Sequence, residues 1–257
     1  MVEITTENIL GYAIATQPPR PCVARICDWL AHGAERKFFA CANPHSLVLA
    51  QEDAAFRAAL QAADLLTPDG AGIVLASKIL GGTIRTRVTG SDIFAGLSAA
   101  LNELGGHGYF FLGASEETLA AIKEKMAREY PRIRFAGSYS PPYQAEFSEE
   151  ESLTMIARVN AARADVLWVG MTAPKQEKWL HRHQARLEVK FMGAIGAVFD
   201  FYGGKVKRSP PFFQKMGLEW LPRLVQEPRR LFGRNFVSSP LFLLALFRQL
   251  QGRGRKK

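Results

Sequence analysis

Short apolar runs alternate along this chain with longer stretches whose apolar residues recur at helical spacing. Lys37–Ala42, Tyr109–Leu112, Arg134–Ser138, Val166–Met171 and Lys190–Ile195 read as strands, mostly apolar throughout, as strands buried on both faces are. Between them, Ser46–Ala63 carries Leu47, Ala50, Ala54, Ala58 and Leu60 at roughly helical spacing. Glu116–Tyr130 follows Ser115, a capping residue, and has acids in its first turn; Ser148–Ala162 opens the same way with three consecutive glutamates. Pro141-Pro142 marks a turn or extended loop. This alternation predicts an α/β fold with a Rossmann-like, mainly parallel sheet flanked by helices.

The pattern changes near Gly203-Gly204, which predicts an α/β domain over residues 1–204 and a helical appendage over 205–257. Pro210–Gln226 reads as a helix broken near Pro222, and Arg229–Leu250 as another. Within the latter, Phe236–Phe247 is the most apolar stretch of the protein. As a helix it spans about 18 Å, short of the ~30 Å hydrocarbon core, so it cannot cross a bilayer alone. With arginines on both sides it can lie in a membrane interface; the alternative is a helix that packs back on the body or forms a subunit contact.

Charge sharpens that division. Of the net charge of +9, residues 205–257 carry 13 Lys/Arg against two acids, and the first 204 residues carry 20 against 22. A near-neutral body joined to a strongly basic end implies an anionic partner there: a membrane surface, a phosphorylated substrate or nucleic acid. Cys22, Cys27 and Cys41 make no disulfide framework, which fits a reducing compartment. The N-terminal segment lacks the basic and apolar regions of a signal peptide.

Polar residues interrupt apolar strand-to-helix junctions in ACANPHS (40–46), LLTPDGAGIV (65–74), RVTGSDIF (87–94) and VGMTAPKQEKW (169–179). Open α/β sheets bind ligands at such junctions. Asp69, between Pro68 and Gly70, presents a carboxylate on a tight backbone, which suits a general base, a sugar-orienting group or a turn residue that caps the next helix. Gln176 and Glu177 fall in a first helical turn after Pro174, where they read a nucleobase or phosphate, or sit on an ordinary solvated helix. No G-x-G-x-x-G, P-loop, H-E-x-x-H, D-x-D or G-x-S-x-G is present, so no metal or dinucleotide site is expected.

Together these segments, with GYFFLGAS, GAVFDFYGGKVKRSP and GLEWLPRLVQEPRRLFGRN, resemble the WecG/TagA/CpsF glycosyltransferases (glycosyltransferase family 26), in order and spacing over residues 38–235. The resemblance implies a membrane-associated, inverting transferase. It would move a sugar, with N-acetylmannosamine or its uronic acid as the first expectation, from a UDP-sugar to a polyprenyl-diphosphate-linked sugar in cell-surface polysaccharide synthesis. It implies Asp69 as general base with Asn43 beside it, Gln176 in PKQE at the nucleotide, and Arg223, Arg230 and Arg234 in an appendage that closes over the site. Cys41, Arg87, Gly90, Glu177 and Arg208 complete the expected substrate-binding set. Cys41 departs from the family pattern, which in some relatives has Thr there; a thiol is the poorer hydrogen-bond donor.

The expected enzyme needs no cofactor or metal, and sits peripherally on the anionic cytoplasmic face of the cell membrane. A homo-oligomer is left open, and no nucleic-acid partner is expected, because no RRM, KH or helix-turn-helix pattern accompanies the basic end. The rival readings are a UDP-glucose or other hexose transferase and a non-enzymatic module that binds anionic membrane or nucleic acid.

Overall fold

The computed structural model describes residues 3–33, 35–206 and 238–254. An antiparallel hairpin comes first, β1 (Thr6–Ile9) and β2 (Tyr12–Ala15), joined through Leu10 and Gly11, both at positive φ as the right-handed twist of a two-residue hairpin demands. After α1 (Pro19–Ala31), six strands form one sheet: β3 (Lys37–Ala42), β4 (Leu65–Pro68), β5 (Gly108–Gly113), β6 (Arg134–Tyr139), β7 (Val166–Gly170) and β8 (Phe191–Ala194). Their order is β4-β3-β8-β7-β5-β6 and every pairing is parallel. The helices are α2 (Pro44–Glu52), α3 (Ala54–Ala62), α4 (Ala71–Ile79), α5 (Gly90–Leu104), α6 (Glu116–Glu129), α7 (Glu149–Ala161), α8 (Lys175–His183), α9 (Gly196–Tyr202) and α10 (Ser238–Gly254).

The expected Rossmann-like α/β architecture is therefore present. Successive strand residues point to opposite faces, and both faces are covered, which is why the strands are apolar runs rather than alternating ones. Phe38, Ala40, Leu112, Leu167, Val169 and Met192 pack on one side, with α2, α3, α7 and α8. Phe39, Tyr109, Phe111, Trp168 and Phe191 pack on the other, with α1, α5, α6 and α9.

One sequence expectation needs correction. Residues 46–63 are not one helix, because Asp53 breaks it. Asp53 leaves the helical region at φ −104° and ψ 100°; its N–H ends α2 on the Leu49 carbonyl and its carboxylate accepts from Phe56 N to start α3. Lys178 Nζ, 3.0 Å away, ties the same carboxylate to α8. Apolar periodicity runs through both helices, so only the cap chemistry marks the break. The first residues of the C-terminal helix expected at Arg229 lie outside the described residues, as does the helix expected over Pro210–Gln226; α10 is described from Ser238.

α10 packs back on the body and exposes an apolar face as well. Phe242 and Leu246 are buried against the core beside α2 and α4. Gln249 fastens α10 to the hairpin, accepting from Leu10 N (2.8 Å) and donating to Asn8 O (3.1 Å), and Ser238 Oγ meets His45 Nδ1 at 2.8 Å. The outward face carries Leu241, Leu243, Leu244, Phe247 and Leu250. Among the described residues no helix is long and apolar enough to cross a membrane.

Candidate active site

A crevice of ≈ 880 Å³ runs across the carboxyl ends of the sheet strands, within the range that holds small-molecule ligands. Cys41 and Asn43 reach it from β3, Asp69 from β4, Ser115 from β5, Tyr143 from the loop after β6, and Glu177 from α8 after β7.

Local sequence sets each position. Asn43 caps α2: its side chain accepts from Ser46 N (3.0 Å) and Ser46 Oγ accepts from Asn43 N (2.9 Å). The cap occupies the amide oxygen and leaves the NH2 group as the donor. Asp69 follows the last residue of β4, and its N–H donates to Ala42 O at 2.7 Å, so the two strand exits are joined directly. Gly70 takes φ +99°, closed to most side chains, and begins α4 with no side-chain cap. At Gly72 a Cβ would lie 2.4 Å from Pro44 Cγ; only glycine lets the first turns of α2 and α4 meet and bring Asn43 and Asp69 to one corner.

Cys41 belongs to the floor. Thr67 Oγ1 donates to Val88 O (2.8 Å), so the thiol, 3.5 Å from Thr67 Oγ1, is the donor of that pair. Burial pushes the thiol well above its usual pKa, and the charge of Asp69 adds to this, so Cys41 stays protonated. Gly90 opens α5 on the crevice wall, packed toward Ile195. Arg87 is half-buried in the loop before α5 and is not among the lining residues. Arg208, Arg223, Arg230 and Arg234 lie outside the described residues. The chain nonetheless enters that segment just past Lys205, which lines the crevice, and leaves it at Ser238, bonded to His45 two residues from Asn43.

Gln176 is buried and spans two loops. Its Oε1 accepts from Met171 N (3.2 Å) and Gly196 N (3.1 Å), and its Nε2 donates to Glu177 Oε1 (2.8 Å). Glu177 is 4% exposed, and its Oε2 is buried without a hydrogen-bond partner. Burial pushes its carboxyl up to about 7, against the pull of the Gln176 bond and of its own backbone N–H.

Sequence reasoning singled out neither Asp200 nor the Ser140–Phe147 loop as part of the site. Ser140, Pro141, Pro142, Tyr143 and Phe147 all line the crevice. Lys175 holds that loop, with Nζ donating to Gln144 O at 2.6 Å and lying 4.6 Å from the Phe147 ring centroid. The Pro-Pro-Tyr run was the available signal, since it presents a ring on a stiff turn.

An open parallel sheet with a crevice across its carboxyl ends is the architecture of Rossmann-like, nucleotide-using enzymes. Residues 7–256 match the model of the Glycosyl transferase WecG/TagA/CpsF family, and the chain belongs to that family. A relative from Bacillus spizizenii (strain W23) is 31% identical over 211 residues, 82% of this chain and 79% of its own length. Others come from Bacillus subtilis strain 168, 28% identical over 80% of this chain and 77% of its own length, and Staphylococcus aureus strain MW2, 28% identical over 92% and 90%. All three are named N-acetylglucosaminyldiphosphoundecaprenol N-acetyl-beta-D-mannosaminyltransferase.

Proposed function

We propose that this protein transfers N-acetylmannosamine, or its uronic acid, from a UDP-sugar to an N-acetylglucosamine carried on polyprenyl diphosphate. The observation that carries the reading is Asp69, a carboxylate that lines a nucleotide-sized crevice at a strand exit beside Asn43. The names of the relatives above support this donor sugar and acceptor.

In this reading Asp69 takes the proton of the acceptor hydroxyl as that oxygen attacks the anomeric carbon, and the bond to the diphosphate breaks in the same displacement. One displacement inverts the anomeric centre. General-base assistance of this kind contributes about 10²–10⁴-fold. The leaving diphosphate gathers negative charge, and Lys175 and Lys205 line the crevice with it. The first turns of α4 and α8, which lack side-chain caps, add backbone N–H donors. Arg208, Arg223, Arg230 and Arg234 belong to the segment whose two ends flank the crevice, and arginine pairs with phosphate in bidentate fashion. In this reading the reaction needs no metal ion.

A polyprenyl acceptor keeps its chain in the bilayer, so the enzyme works as a peripheral protein on the cytoplasmic, anionic leaflet. The outward leucines and Phe247 of α10 enter the interface there. The test is to incubate the protein with a panel of UDP-sugars and a short-chain polyprenyl-diphosphate-N-acetylglucosamine, with a chelator present. A product heavier by one N-acetylhexosamine, formed only from UDP-N-acetylmannosamine, supports the reading, and one heavier by an N-acetylhexosaminuronic acid, formed from the corresponding UDP-uronic acid, supports its variant. A product carrying a plain hexose contradicts the donor assignment, and turnover that stops with chelator contradicts metal independence.

A further inference from the structure

We propose that His45 is a positioning residue for the reaction: through its hydrogen bond to Ser238 it seats α10 on the first turn of α2 and so fixes the corner where Asn43 and Asp69 meet. The inference rests on the sugar-transfer reading above and deepens it, by giving α10 a part in the chemistry besides its place at the membrane.

α2 has nine residues, too few to be stable as a helix alone, so its first turn is placed by what packs on it. Toward the sheet, Leu47 and Ala50 are buried in the core. Pro44, the first residue of α2, meets Gly72 in the first turn of α4, the helix that follows Asp69. His45 adds a support from the far end of the chain: its Nδ1 lies 2.8 Å from Oγ of Ser238, 193 residues away. Ser238 is 5% exposed, so its hydroxyl has left water and needs a protein partner, which His45 supplies. Phe242 and Leu246, further along α10, are buried against the body beside α2 and α4 and keep the helix in register, and Gln249 fastens it to the β1–β2 hairpin. The Ser238–His45 bond is the end of this seam nearest the crevice.

Asn43 stands two residues from that bond. Its carbonyl accepts from Leu47 N (3.0 Å) and its amide oxygen from Ser46 N (3.0 Å), while Ala42 O, one residue earlier, accepts from Asp69 N (2.7 Å). A shift in the first turn of α2 therefore moves the Asn43 amide and the Asp69 carboxylate relative to each other. A displacement of about 1 Å in reacting groups costs on the order of 10²-fold in rate. His45 is not among the crevice-lining residues, so its influence on the reaction runs through α2.

The experiment measures transfer to a short-chain polyprenyl-diphosphate-N-acetylglucosamine in solution, with no vesicles, so that membrane binding does not enter. His45→Ala and Ser238→Ala are each expected to lower kcat by about ten- to hundredfold, with KM for UDP-N-acetylmannosamine and UDP affinity within about twofold of wild type. The double variant should fall no further than the slower single one, because both remove the same bond. His45→Asn, whose amide group takes the place of Nδ1, should restore kcat to within about threefold of wild type. Amide exchange at Ser46 and Leu47 reads the seat without substrate: both alanine variants should speed it by about tenfold or more while β5 and β7 stay protected. A loss of rate in His45→Ala but not in Ser238→Ala would mean that His45 acts apart from α10 and would overturn the inference. An equal loss of UDP affinity, marking general damage to the fold, would overturn it, as would wild-type rate and exchange in both variants. Faster exchange in both variants of a protein whose wild type transfers no sugar would instead contradict the sugar-transfer reading, and with it any part for His45 in the reaction, which is a distinguishable failure.

Discussion

Replacing Glu177 by glutamine is expected to stabilise the unliganded protein above neutral pH. The carboxyl is 4% exposed and burial raises its pKa from 4.5 to about 7. A raised carboxyl pKa means that the folded state holds the proton more tightly than the unfolded chain. The protein is therefore most stable with respect to this group below pH 4.5 and loses stability as pH climbs toward 7, where the folded carboxyl ionises. The gap between 4.5 and about 7, at ~1.36 kcal/mol per pH unit, is worth roughly 3 kcal/mol. Glutamine keeps the bond from Gln176 Nε2 and never ionises, so it escapes that cost. The depressed carboxylates Asp53, Glu149, Glu151 and Asp165 shift stability the other way in acid, but they do so equally in both proteins and cancel in the comparison. Urea denaturation and thermal melts at pH 4.5 and pH 8.5 read the effect. The variant should match wild type at pH 4.5 and exceed it by roughly 3 kcal/mol at pH 8.5, a melting difference of roughly 6–12 °C for a chain of this size. A variant no more stable than wild type at pH 8.5 would refute the reasoning, since the carboxylate would then be adequately solvated or paired.

The two faces of α10 should separate in experiment. Leu244→Glu with Phe247→Glu changes residues 49% and 56% exposed, so it should leave the melting temperature within a degree or two while lowering binding to anionic vesicles more than tenfold in sedimentation assays. Phe242→Ala instead empties a buried site between α10 and the body. It should cost about 3–5 kcal/mol of docking, visible as amide exchange in residues 238–254 faster by a hundredfold or more, with β7 and β8 still protected.

Five of the six sheet strands were legible: β3, β5, β7 and β8 are largely buried and stand out as apolar runs, and β6, RFAGSY at the sheet edge, stands out between two capped helices. β4 is only Leu65–Pro68, and its LLTP reads as the lead-in to a turn. The β1–β2 hairpin escaped for a similar reason: four-residue strands joined at Leu10-Gly11 offer too short an alternation. The segments holding Asp69, Asn43, Cys41, Gly90, Gln176 and Glu177 were legible as candidates because polar residues interrupt strand-to-helix junctions there and because the segments resemble the family's motifs, and the structure brings all six residues to one crevice. What sequence could not supply was orientation. The stitching of two loops by Gln176, the unpaired oxygen of Glu177 and the closure of the β6 end by Lys175 and the Tyr143 loop depend on strands distant in the chain becoming neighbours in the sheet.

Asp69→Asn tests the central claim most directly. Asparagine keeps the size and the backbone bond to Ala42 but cannot take up the acceptor's proton. Single-turnover transfer from UDP-N-acetylmannosamine to a short-chain polyprenyl-diphosphate-N-acetylglucosamine should fall by about 10²–10⁴, with UDP-sugar affinity within threefold of wild type. Transfer within tenfold of the wild-type rate would contradict Asp69 as the base.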